Sequence, residues 1–146
     1  MNKLREFTPD EIARLVSEWL AVYGRDGQGV NFRAFMWHIF SGNRYPSLEG
    51  DQARAEYAGQ ICCELVILPN DRDEAFLVDS RPGHRPFPDF HVFPPNLAWT
   101  MAFTHEEGWL GPYFPRHTYY TEINAANIAK VRKREEMDYA RSQGWH

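Results

Sequence analysis

Apolar positions near the start of the chain recur at helical spacing: Ile12, Leu15, Val16, Trp19, Leu20 and Tyr23. They fall on one stripe of a helix. Thr8 precedes the stripe as an N-cap, Pro9 suits the first helical position, and Glu11 completes a capping box. Gly24 suits the C-cap, and "RDGQG" reads as a turn-rich linker. A second helix is expected over 30–40, "VNFRAFMWHIF", with Phe32, Phe35, Met36, Ile39 and Phe40 as its stripe and Trp37 and His38 beside it. Residues 47–60 have helix-forming composition, with Ser47 as a cap and Gly50 as the weak point.

The pattern changes after residue 60. "ICCELVIL" is β-branched and apolar and predicts a strand, as do "AFLVDS" and "FHVF", with turns between them. "RPGHRPFPD" is irregular. "LAWTMAFTH" alternates: Leu97, Trp99, Met101, Phe103 and His105 share one face, and Ala98, Thr100, Ala102, Thr104 and the following Glu106 share the other. That predicts a half-buried antiparallel strand. "EEGWLG" predicts a hairpin connection with Gly108 free to take a positive φ, and Pro112 confines the returning "PYF" to an edge or a strand start. The tail predicts a long helix over 121–143, capped by Thr121, with a thin apolar stripe and many opposite charges.

These elements predict one α+β domain over 1–146: helical over 8–60, a sheet over 61–116, then the C-terminal helix. The strand connections are short, so the sheet is expected to be mostly antiparallel, of roughly four to five strands, with helices on one face.

Composition narrows the function. Aromatic residues make up 15% of the 146 residues, which favours a packed core over disorder. The formal net charge of −4 lacks the basic footprint of a duplex-binding domain. "KVRKRE" and "PRHTYY" carry the basic and aromatic mix that single strands need, but Glu135, Glu136 and Asp138 follow at once. No nucleic-acid partner is expected. Cys62 and Cys63 read as small apolar residues of a strand in a reducing compartment. No leader peptide or membrane-length apolar run is visible, so a cytoplasmic protein without a membrane partner is expected.

Candidate chemistry is sparse. Gly-x-Ser-x-Gly, the Gly-x-x-x-x-Gly-Lys-Ser/Thr phosphate loop and Gly-x-Gly-x-x-Gly are absent, and no cofactor is expected. His105 and Glu106 resemble half of a zincin motif, but Trp109 stands where the second histidine belongs. A histidine and carboxylates at a strand end still suit acid–base work, so His105 and Glu106 are the candidate catalytic pair. His38, His91 and His105 are the candidate metal ligands, provided that three separate elements converge. Asp71, Arg72, Asp73 and Glu74 read as a polar turn. Trp109 sits in a connection, where large aromatics serve as interface anchors. With Glu106, Glu107 and Tyr113 it forms the candidate docking surface for a basic protein partner.

"FMWHIF", "ILPNDRD" and "NLAWTMAFTHEEGWLGPYF" together resemble a family of small uncharacterised bacterial proteins with F-x-W-H-x-F and W-T-x-x-F-T-H-E-x-G-x-x-G-P-Y-F motifs. The resemblance covers residues 32–116 and implies no activity, cofactor or catalytic residue. The hairpin is also similar to those of immunity proteins that neutralise bacterial toxins, which implies a small acidic inhibitor. A non-enzymatic protein-binding module is the leading expectation. A metal-assisted hydrolase is the alternative, and an accessory domain docking through its C-terminal helix is the third.

Overall fold

The computed structural model describes residues 2–24, 36–82, 86–106 and 109–144. Residues 30–35 of the expected second helix, with His84, Glu107, Gly108 and His146, lie outside the described residues. In chain order the elements are β1 (Lys3–Glu6), α1 (Pro9–Tyr23), α2 (His38–Ser41), β2 (Ser47–Glu49), α3 (Gly50–Ala58), β3 (Leu65–Pro69), β4 (Phe76–Val78), β5 (Phe90–Phe93), β6 (Met101–Phe103), β7 (Tyr113–Pro115) and α4 (Tyr120–Ser142).

α1 begins as its sequence dictates. The Glu11 N–H donates to Thr8 Oγ1 at 3.2 Å, and the Thr8 N–H donates to Glu11 Oε1 at 2.9 Å. Both bonds satisfy amides that a helix start leaves open. α4 starts one residue before Thr121: Tyr119 holds the cap position without a side-chain cap bond.

The described residues form one seven-stranded antiparallel sheet of order β1-β4-β3-β5-β6-β7-β2. The expected four to five strands are therefore too few. Both extra strands lie outside the predicted sheet segment, and both are edges. β1 reads "KLRE" and is exposed throughout, so it has no alternation to detect. It is held by its backbone register with β4 and by the Lys3 ammonium, 4.0 Å from the Phe76 ring centre. β2 claims Ser47, the expected helix cap, because Ser47–Glu49 pairs with β7. Gly50 then turns the chain into α3 at a φ of +63°, a conformation open to glycine.

The sheet is covered on both faces, not one. β3 is buried at every position. Val66 and Leu68 pack with Ile12, Trp19 and Tyr23 of α1 and with Phe40 of α2. Leu65 and Ile67 pack on the other side with Ala53 of α3, Trp99, Phe114 and Ile123 of α4. Of "LAWTMAFTH" only Met101–Phe103 is strand, and the expected half-burial gives way to burial on both faces. Trp99 and Met101 join the α3–α4 layer, and Ala102 joins the α1 layer. Leu97, at a φ of +63°, packs in the α1 layer and Ala98 beside Trp99, so the expected alternation does not extend to residues 97 and 98. Cys62 and Cys63 precede β3 instead of lying inside it, and both are free thiols. The Cys62 thiol donates to the Glu64 carbonyl, and burial pushes its pKa up, which makes it a poor nucleophile.

Two polar ties fix the layers. The Trp19 indole N–H donates to Thr100 Oγ1 at 3.0 Å, and the Tyr23 hydroxyl donates to the Leu97 carbonyl at 2.9 Å. On the opposite face, Asn96, Asn124 and Asn127 form an amide ladder that seats the first half of α4. Residues 132–139 of α4 are exposed all round.

Candidate functional site

The register of β5 with β6 builds the site. Phe90 pairs with Phe103 and His91 with Ala102, so the next residues outward are Asp89 and Thr104, followed by His105. The Asn70 N–H donates to the Asp89 carbonyl at 3.0 Å and extends the β3–β5 pairing to this level. Asp89 is thus held by backbone at the sheet end, with a side chain only 11% exposed.

The Asp89 carboxylate gathers three donors. The Trp37 indole N–H reaches Oδ1 at 2.9 Å, the His105 backbone N–H reaches the same oxygen at 2.9 Å, and His105 Nδ1 lies 2.9 Å from each oxygen. The carboxylate fixes the proton on Nδ1 and turns Nε2 towards Glu106, whose Oε1 lies 3.6 Å away. The His105 side chain is 40% exposed. The hydrogen bond to Asp89 raises its pKa above the usual imidazole value, and the charges of Asp89 and Glu106 add to the rise.

The loop after His105 closes on itself. The Glu106 N–H donates to Thr104 Oγ1 at 3.2 Å, and the Thr104 hydroxyl donates to the Leu110 carbonyl. The Trp109 and Leu110 N–H groups return to the Glu106 carbonyl at 2.9 and 2.8 Å. Trp109 stands out of this frame at 86% exposed. Gly111 completes the turn at a φ of +87°, where an added Cβ would meet Tyr113 Cε2 at 3.0 Å and Thr104 Cγ2 at 3.1 Å. Only glycine fits both the conformation and the space.

Beneath the loop is a stack of rings. Trp37 lies 6.2 Å from His105 and 6.3 Å from Tyr113, near-parallel to the latter, and His38 meets Trp37 edge to face at 4.5 Å. Tyr113 is buried, and its hydroxyl has no hydrogen-bond partner among the described residues. Burial pushes its phenol pKa up, with Glu49 and Glu106 adding to the shift. Tyr113 therefore supports the loop from below and offers no exposed ring.

The structure thus brings His105, Glu106, Trp109 and Tyr113 into one neighbourhood and leaves His91 out of it. His91 is fully buried against Trp19, with Nδ1 3.3 Å from the Leu68 carbonyl. Desolvation holds its pKa down to about 4, so it is neutral in the folded protein near neutral pH. Among the described residues no group of three or more His, Cys, Asp or Glu side chains is placed to hold a metal ion, so His38, His91 and His105 do not form one ligand set. Asp71 to Glu74 form the expected turn: Asp71 Oδ1 accepts from the Asp73 N–H, and Arg72 takes a φ of +63°. Sequence reasoning missed Asp89. The pairing of "FHVF" with "AFTH" was the one available signal, because it sets Asp89 level with Thr104.

Fold and site define a small α+β domain that displays a braced, aromatic-tipped loop at one end of its sheet. The profile of a family described as a domain of unknown function, DUF4275, matches residues 13–114, and the chain belongs to this family. The match contains both sequence motifs. No match is found among curated proteins or among solved structures. No helix among the described residues is long and apolar enough to cross a membrane.

Proposed function

We propose that the protein is a binding module that docks a protein partner through the 104–110 loop. The observation that carries this is Trp109, 86% exposed at the tip of a loop closed by its own hydrogen bonds and pinned to Asp89. A large ring held in place before binding loses little conformational freedom on docking. Beside it, the exposed Glu106 carboxylate gives the surface an acidic residue. The fitting partner carries an apolar pocket with a basic rim. A toxin whose catalytic cleft is basic is one such partner, and the module would then act as an immunity-type inhibitor.

Affinity capture with wild type beside Trp109→Ala tests the proposal. Hot-spot aromatics are worth about 2 kcal/mol or more, so the variant should lose at least roughly 30-fold in affinity. A partner held equally by both proteins would refute the placement of the surface.

One observation favours a second reading. A carboxylate that orients an imidazole, with the far ring nitrogen beside a second carboxylate on a partly exposed side chain, is the arrangement of the base half of a hydrolytic centre. Activated ester and phosphoester substrates test it. Turnover lost in His105→Ala and reduced in Asp89→Asn supports acid–base catalysis. Equal turnover in wild type and His105→Ala rules it out.

A further inference from the structure

A second site lies on the sheet face that carries α3 and α4, away from Trp19 and His91. A cleft of about 390 Å³ opens there between the segment after α3, the end of β4 and α4. Its volume falls in the range of small-molecule sites, about 300–1,000 Å³. Ile61, half exposed, and Val131 give it an apolar side, with Leu65 and Trp99 buried behind them, and Asp79, Ser80 and Arg81 line its polar side.

Both charged residues are fixed in place and only partly used. Arg81 donates through Nη1 to the Gln60 carbonyl at 2.7 Å and the Tyr57 carbonyl at 3.3 Å, and its guanidinium lies 5.7 Å from the Tyr57 ring centre. Nε and Nη2 make no bond to the described residues. Asp79 accepts from the Asn2 N–H at 2.8 Å and from the Ser80 hydroxyl at 3.2 Å, both on Oδ1. These donors hold the Asp79 carboxyl below the usual carboxylate range, so it is charged. Asp79 and Arg81 sit two positions apart and line one cleft, yet no ion pair joins them. At the back of the cleft Trp99 is fully buried, and its indole N–H has no acceptor among the described residues.

We propose that this cleft binds a free α-amino acid with an apolar side chain. The ammonium meets Asp79, the carboxylate meets the open edge of the Arg81 guanidinium, and the side chain lies on Ile61 and Val131. A simple carboxylate would gain Arg81 but face the charge of Asp79. A simple amine would meet the reverse penalty. A group carrying both charges on one carbon meets both residues, which no ion pair joins. A peptide link would remove one of the two charges, so the free amino acid is the better fit.

The test is a titration of the full chain, followed by NMR, with L-leucine, L-methionine and L-phenylalanine as separate probes. Two leucine analogues complete it: 4-methylpentanoate, which lacks the ammonium, and isopentylamine, which lacks the carboxylate. At least one amino acid should give saturable shifts at residues 79–81 and at the Trp99 indole. Its affinity should fall at least tenfold, about 1.4 kcal/mol, in each leucine analogue and in Asp79→Asn and Arg81→Gln. No saturable shift with any of the three amino acids would overturn the proposal. So would equal binding of either analogue by the unaltered protein, a result that needs no variant to fold. The loop at Trp109 takes no part, so the outcome is independent of the docking function.

Discussion

Asp89 and His105 act as one unit, and their protonation has a definite sign. The folded protein raises the His105 pKa, so the charged pair contributes stability that is fully present below the unfolded value of about 6.5. That contribution is lost as pH rises through the raised folded value. Urea unfolding of wild type and Asp89→Asn should therefore show a larger stability gap at acidic than at alkaline pH, and NMR titration of the variant should place His105 closer to its usual pKa. His91 behaves oppositely. Its folded pKa of about 4 lies below the unfolded value of about 6.5, so the unfolded chain takes up a proton first as pH falls. Wild type should lose stability between those two values, on the order of 3 kcal/mol, while His91→Leu should flatten that part of the profile. A wild-type profile flat over the same window would contradict the buried, neutral His91.

At the scale of elements, the ties between layers decide what can be removed. Trp19 is fully buried and carries the hydrogen bond from α1 to Thr100, so Trp19→Ala should cost about 3–5 kcal/mol, measured by chemical denaturation. α4 divides in two. Its first half is seated by Ile123, Asn124 and Asn127, whereas residues 132–139 are exposed. Ending the chain after Arg132 should leave the melting temperature nearly unchanged, and ending it after Tyr119 should destabilise the fold strongly. An assembly that survives loss of residues 133–146 would remove the exposed half of α4 from consideration as a docking element. In the loop, Gly111→Ala forces a Cβ against Tyr113 and Thr104 at a positive φ, a strain of about 1–3 kcal/mol. Faster amide exchange at residues 104–110 in that variant would show that Gly111 braces the loop.

Over the whole molecule, legibility followed the locality of the cause. α1 was readable because its cap, its box and its stripe all lie within its own sequence. "FHVF" and the return strand after Pro112 were readable because their neighbours in sequence are turns. β1 and β2 were not, because short polar edge strands exist only through their pairing with β4 and β7. The covering of both sheet faces was written in β3, whose unbroken apolar run marks a strand buried on both sides. The site divides the same way. His105, Glu106 and Trp109 are contiguous and drew notice as a motif, whereas Asp89 enters only through the β5–β6 register and Trp37 only through the packing of a helix beside it.

The most direct test of the docking account places a photoreactive benzophenone side chain at position 109 in the living cell, with a second variant bearing it at position 139, where Tyr139 is also exposed. A discrete protein adduct at 109 that is absent at 139, and that fades when Asp89→Ala releases the loop, is the predicted result. The same adducts at both positions, or none at 109, would contradict the account.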